Sequence, residues 1–251
     1  LLKRGVRREN IWVTDLAGVV YEGLNELMDE DKAQFAQKTP HRTLAQAIVG
    51  ADIFLGLSAG GVLKKEMVAT MAKNPLIFAL ANPNPEILPE DVKAVRDDAI
   101  IATGRTDYPN QVNNVLCFPY IFRGALDCGA TTITDEMEIA AVHAIAELAQ
   151  AEQSEVVAAA YAGVTLSFGP EFLIPKPFDH RLMEKTAPAV AQAAKDSGVA
   201  RRPIADMDTY REKLRSFVYA SGTTMKPIYD QAKKARNKRV AYAEGEEERV
   251  L

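Results

Sequence analysis

The chain has 251 residues, 47% hydrophobic and 25% charged, the ordinary balance of a globular protein, which excludes disorder, collagen and coiled coil. A formal net charge of -4, from 30 Lys+Arg against 34 Asp+Glu, lacks the positive footprint that holds phosphate backbones, so nucleic acid is not an expected partner. Cys117 and Cys128 have no CxxC spacing and predict neither a disulfide framework nor a thiolate zinc site, with a cytoplasmic location as the default; the apolar runs are far shorter than the roughly 20 residues that cross a bilayer.

In chain order, Leu1-Leu2-Lys3-Arg4-Gly5 reads as the last turn of a helix that begins upstream. Ile11 to Asp15, Asp52 to Leu57, Leu76 to Ala81 and Ala99 to Ala102 are short β-rich runs. Their apolar residues are continuous, the pattern of strands covered on both faces in a parallel sheet. Helices are predicted between them: Thr43 to Val49 with a capping Thr, Lys64 to Lys73, and Pro89 to Arg96 with Pro at the first turn. The alternation predicts an α/β fold, a truncated doubly wound, Rossmann-like parallel sheet. Beyond Thr131 only helices are expected: a mostly buried Thr134 to Gln150, then Ser154 to Ala162, His180 to Asp196, Met207 to Val218 and Gly222 to Arg236. Lys238 to Gly245 reads as a strand entering a turn, with sequence continuing past Leu251.

Ligands of such a sheet bind outside the carboxyl ends of its strands, which directs attention to four corners. Asp15 closes the first strand, where an acid can bond the ribose hydroxyls of a dinucleotide; a turn-capping Asp is the equal alternative. Ser58-Ala59-Gly60-Gly61 follows the second strand, and its paired glycines let main chain approach a ligand closely or serve a tight turn. Asn82-Pro83-Asn84-Pro85-Glu86 follows the third, a stiff turn in which Asn84 suits an Asx-turn and Asn82 presents an oriented carboxamide. The fourth strand leads into Thr103 to Asn114, a loop crowded with amides and carrying Arg105 and Tyr108, suited to a small polar anion. There Asn114 is a candidate cap for the helix that follows, which leaves Asn113 free. His41, His143 and His180 are scattered without a metal-binding pair, and both cysteines read as core residues.

Taken together, SAGGVL, FALANPNPEI and ATGRTDYPNQVNNVLCFPYIFRGALD resemble the malic enzymes, in particular the bacterial hybrid type. The similarity covers about residues 1 to 170, and the tail KRVAYAEGEEERVL resembles the start of a phosphotransacetylase-like domain. The resemblance implies a partial dinucleotide-binding domain over 1–131, a helical part and linker over 132–237, and the start of the next domain over 238–251. It implies oxidative decarboxylation of L-malate to pyruvate and CO2, with hydride passing to NADP or NAD and a divalent Mg or Mn holding the substrate. Asn82, with Asn113 or Asn114, would grip malate and the nicotinamide; Asp15, Ser58, Gly60, Gly61, Asn82 and Asn113 would contact the dinucleotide. Asn82 and Asn113 are favoured.

The same resemblance puts the Tyr and Lys that move protons, the metal ligands and the Gly-rich loop in sequence upstream of Leu1. No catalytic residue or metal ligand is therefore assigned here, and these 251 residues alone are expected to be inactive. Asp15 favours NAD, with no compensating cation at Leu16 or Ala17; the resemblance favours NADP. A homo-oligomer and an acetyl-CoA effector are further expectations. Alternatives are another NAD(P)-dependent small-acid dehydrogenase and a regulatory or assembly module.

Overall fold

The computed structural model describes residues 1–151 and 167–218. The helices expected at Ser154 to Ala162 and Gly222 to Arg236, and the strand from Lys238, lie outside the described residues. The chain divides into two compact units, Leu1–Leu116 with Ile145–Asp179, and Cys117–Ala144 with the chain from His180.

In the first unit, β1 (Thr14–Asp15) and β2 (Gly18–Val19) form an antiparallel pair, and β3 (Ile53–Gly56), β4 (Leu76–Ala79) and β5 (Ile100–Thr103) form a parallel sheet in that order. Ile53 pairs with Leu76 and Leu76 with Ile100, so the three carboxyl ends finish level at Gly56, Ala79 and Thr103. The α/β architecture is as the apolar runs predict, with one correction. The Ile11 to Asp15 run does not join the parallel sheet. Asp15 Oδ1 accepts the Ala17 N–H at 2.8 Å, an Asx turn that folds the chain back onto itself.

Short helices connect these strands: α1 (Glu30–Ala33), α2 (Leu44–Ala47), α3 (Lys65–Ala69) and α4 (Pro89–Lys93). At α2, Thr43 and Gln46 form a reciprocal capping box, satisfying main-chain N–H groups that the first turn leaves over. Both α3 and α4 are shorter than their sequence pattern predicts. Asn74 takes a left-handed φ of 54° with its N–H held by Asp98 at 2.7 Å, and Arg96 bonds the carbonyls of Val68 and Ala72. These ties occupy residues that a longer α3 or α4 would need.

Ile48, Leu63, Val68, Ile77, Ile87, Val92 and Ile101 make the core beneath the sheet. A cut from Ile77 to Ala there would cost about 2–5 kcal/mol, because a dry cavity adds to the lost transfer free energy. Burial of the strands is one-sided at β3: Ile53, Leu55 and Leu57 are exposed, whereas the sequence pattern predicts cover on both faces. These residues alternate on one face of an edge strand.

The second unit is helical among its described residues: α5 (Phe118–Asp127), the first part of α6 (Asp135–Gln150), α7 (Arg181–Asp196) and α8 (Met207–Val218). Ala125, Cys128, Met137, Ala141, Val190 and Leu214 lie in its core. Thr134 Oγ1 accepts the Met137 N–H at 3.4 Å at the start of α6. The buried stripe of α6 is narrower than predicted, with Met137, Ala141, Ala144 and Leu148 inside and Val142 out. Cys128 is fully buried and Cys117 packs against the same cluster; burial pushes both thiols up, as inert core cysteines require. Tyr210 donates its hydroxyl to Asp127 at 2.7 Å, and Arg123 binds the same carboxylate at 2.6 Å. Among the described residues no helix is long and apolar enough to cross a membrane.

Candidate functional site

The level ends of β3, β4 and β5 place three loops side by side on one rim of the first unit. After β3 the chain turns through Ser58-Ala59-Gly60-Gly61, with Gly61 at a left-handed φ of 75°. A Cβ on Gly60 would lie 2.8 Å from Asn84 Cβ and 2.9 Å from the Asn84 carbonyl oxygen. Glycine at 60 is therefore what lets the loops after β3 and β4 touch. The Gly61 N–H donates to the Pro85 carbonyl at 3.1 Å and the Leu63 N–H to the Glu86 carbonyl at 3.1 Å, zipping the two loops together.

Sequence reasoning passed over Glu86. Its side chain is fully buried; Oε1 accepts the Ser58 N–H at 2.9 Å and Oε2 the Ala81 N–H at 3.0 Å. Space for the carboxylate exists because residue 56 is glycine, where a Cβ would fall 2.4 Å from Glu86 Cδ. A buried carboxylate is costly unless its oxygens are hydrogen-bonded, and here each finds a main-chain donor.

Between the loops lies a cleft of about 410 Å³ lined by Ser58, Ala59, Gly60, Ala81, Asn82 and Asn84, together with Pro83. The Asn82–Pro83 peptide is cis. Asn82 and Asn84 are exposed, and neither carboxamide has a hydrogen-bond partner among the described residues. The cleft thus collects Ser58, Gly60 and Asn82 of the predicted site. Gly61 borders a second cavity, of about 450 Å³, with Lys64, Glu66, Asn84 and Asp91. Asp15, Asn113 and Asn114 line neither cavity.

The loop after β5 is more committed than its composition suggests. Asn110, with a φ of 55°, is buried; its Nδ2 donates to the carbonyls of Ile101 and Pro170, and its Oδ1 accepts the Leu173 N–H. Arg105 makes a two-pronged bond to Asp107, and the Tyr108 hydroxyl donates to Glu90. The guanidinium holds Asp107 below the usual carboxylate range and the bond to Glu90 pushes the Tyr108 phenol up. The polar ends expected to meet an anion thus already have partners, Arg105 within the loop and Tyr108 on α4. The two neighbouring amides also exchange their expected parts. Asn113 Oδ1 accepts the Val115 N–H at 3.0 Å and caps the short 3-10 turn Asn114–Leu116, whereas Asn114 is exposed. The helical phase, not composition, decides which amide faces the open N–H.

Asp15 carries a cation that nearest-neighbour inspection of Leu16 and Ala17 misses. Lys32 Nζ lies 2.9 Å from Asp15 Oδ2 and also bonds the Leu27 carbonyl. The Lys32 hydrogen bond holds the Asp15 carboxyl below its ordinary value, and the lysine is raised in return. Among the described residues no group of three or more His, Cys, Asp or Glu side chains could hold a metal ion.

Comparison with known proteins identifies the family. The family described as "Malic enzyme, NAD binding domain" matches residues 3–161. The chain is 62% identical over 251 residues to the NAD-dependent malic enzyme of Rhizobium meliloti, covering 100% of this chain and 33% of that protein. It is 62% identical over 252 residues to the NADP-dependent malic enzyme of Salmonella typhimurium, again covering 100% and 33%. Among solved structures, the malic enzyme of Entamoeba histolytica superposes with a TM-score of 0.74 at 30% identity, over 95% of this chain and 48% of that one. The chain spans about a third of the length of the curated relatives it matches. With three level strand ends, an amide-lined cleft and a family match over residues 3–161, the chain belongs to the malic enzyme family through its NAD-binding domain.

Proposed function

We propose that the protein containing this chain oxidatively decarboxylates L-malate to pyruvate and CO2 with reduction of NADP or NAD. The observation that carries this reading is the cleft between Ser58 and Asn82 at the carboxyl ends of β3 and β4, in a chain of this family. Its volume falls within the range of small-molecule sites. Its walls are main chain at Gly60 and unpartnered carboxamides at Asn82 and Asn84, a donor set that fits the edge of a nicotinamide or a carboxylate. The dinucleotide, when bound, supplies the hydride acceptor for malate C2.

This chain's part is to bind and orient. Gly60 lets the loops after β3 and β4 close on each other as the floor of the cleft, and the Ser58 hydroxyl supplies a donor. Asn82 donates through Nδ2 and accepts through Oδ1, so it can face a malate carboxylate or the nicotinamide amide. Asn113 Nδ2 is a second donor whose direction is set because its Oδ1 is anchored on the Val115 N–H. Fixing the reacting carbon beside its hydride acceptor supplies the proximity on which such a transfer depends. Oxidation at C2 gives a β-keto acid, from which CO2 leaves. No proton-transfer residue is assigned to this chain. Among the described residues no side-chain group fits a divalent metal, so the metal dependence of this reading rests on the assay with Mn.

For the cofactor, Lys32 beside Asp15 supports NADP, since the ammonium offsets the carboxylate that would otherwise repel a 2'-phosphate. A homo-oligomer, an acetyl-CoA effector and a cytoplasmic location belong to the same reading. The test is an assay of the full-length protein with L-malate, NADP or NAD and Mn. Pyruvate forming in step with reduced cofactor, and stopping on chelation, supports the reading. Cofactor reduction without CO2 or without metal dependence favours another small-acid dehydrogenase.

A further inference from the structure

Among the described residues, Glu86 is the buried side chain with the most direct hold on the cleft and no part in the chemistry above. Its two oxygens each receive a main-chain N–H, one from Ser58 in the loop after β3 and one from Ala81 at the end of β4. Ser58 lines one wall of the cleft, and Ala81 is the residue next to Asn82 on the other. The carboxylate group is planar and rigid, so the spacing of these two N–H groups is set by the distance between its oxygens. The glutamate main chain adds a third tie through the Leu63 N–H at 3.1 Å. Gly56 leaves the space that the carboxyl carbon occupies, since a Cβ there would stand 2.4 Å from Cδ.

We propose that Glu86 is a positioning residue that fixes the separation of the Ser58 and Asn82 walls, and so aligns the dinucleotide with the acid bound to Asn82. This rests on the proposed function for the identity of the two ligands. Contact between Glu86 and either ligand is not part of the proposal; the residue acts through the Ser58 and Ala81 main chain. Glu86→Gln keeps the shape but turns one acceptor oxygen into an NH2 that faces an N–H donor, so one wall is released. Gly56→Ala keeps the glutamate and displaces its carboxylate with a methyl group.

Both variants are made in the full-length protein, singly and together, and followed by steady-state kinetics, dinucleotide titration by fluorescence, and thermal melting. The expected result is a tenfold or greater loss of kcat/KM for malate in each single variant. The double variant falls no further than the worse single, because both changes break one clamp. Glu86→Asp, which keeps two acceptor oxygens, recovers part of the activity. A purely structural role lowers the melting temperature but leaves kcat and KM per folded molecule unchanged, and that result overturns the proposal. Failure of both Glu86→Gln and Gly56→Ala to fold also overturns it, since the carboxylate would then be a folding element. If the parent enzyme does not oxidise malate, the malate reading fails by itself. The clamp is then judged on dinucleotide affinity, with a tenfold weakening in both variants supporting it and unchanged affinity refuting it.

Discussion

Lys32 Nζ and Asp15 Oδ2, from residues 17 apart in sequence, meet at 2.9 Å. A carboxylate at the end of the first predicted strand reads as a preference for NAD; the same carboxylate held by an ammonium group does not repel an added phosphate. Replacing Lys32 by Ala in the full-length protein is expected to lower kcat/KM for NADP by about 10- to 100-fold, the worth of one charge-assisted hydrogen bond, while NAD changes little. Equal losses with both cofactors would sever the link between this pair and cofactor choice.

Asn82 and Asn113 can be told apart from mere structural amides. Asn82→Ala removes a carboxamide with no internal partner, so the melting temperature should hold while kcat/KM for malate falls by about 10- to 100-fold. Asn113→Asp keeps the oxygen that caps Val115 and discards the NH2 donor. Its melting temperature should therefore stay near that of the parent while KM for malate rises about tenfold or more. A parental KM in that variant would leave Asn113 with capping as its sole task, worth about 1 kcal/mol.

Acid sensitivity should trace to Asp98. Arg96, and after it the Asn74 N–H, hold this carboxyl well below the usual carboxylate range. A folded-state value lower than the unfolded one stabilises the fold above the unfolded pKa, about 3.9, and that contribution is lost as pH falls further. Melting temperature followed from pH 6 downward should drop below about pH 4, and Asp98→Asn should flatten the fall while lowering stability at neutral pH. A variant with the parental acid slope would place the sensitivity elsewhere.

In the second unit, Tyr210→Phe deletes the hydroxyl that reaches Asp127 from a largely buried ring. A loss of about 1–3 kcal/mol is expected, because the hydrogen bond is made to a charged acceptor. Chemical denaturation of the full-length protein measures it, and kinetic constants for malate should not move.

The parallel strands were legible because Leu76 to Ala81 and Ala99 to Ala102 are continuous apolar runs, a pattern that needs no knowledge of partners. The run at Ile11 also opens on apolar residues, but β propensity does not say which strand a segment pairs with, and the Asx turn at Asp15 supplied a local alternative. Ser58, Gly60 and Asn82 could be read from their place just past a strand. Glu86 could not, because its partners stand 28 and 5 residues away, and Lys32 could not for the same kind of reason. Arg105 and Tyr108 mark the opposite error: polar composition suggested an open anion site, while Arg105 is spent on Asp107 of its own loop and Tyr108 on Glu90 of α4.

Asn110 has a bearing on how this rim could be redesigned. Its side chain joins the Ile101 carbonyl to main chain at Pro170 and Leu173, some 60 residues later. The bend beyond β5 is thereby riveted to a distant stretch of backbone, and it behaves as masonry, not as a hinged door. Efforts to admit bulkier acids should leave that rivet in place and trim the opposite bank, where Asn84 stands exposed and without internal ties.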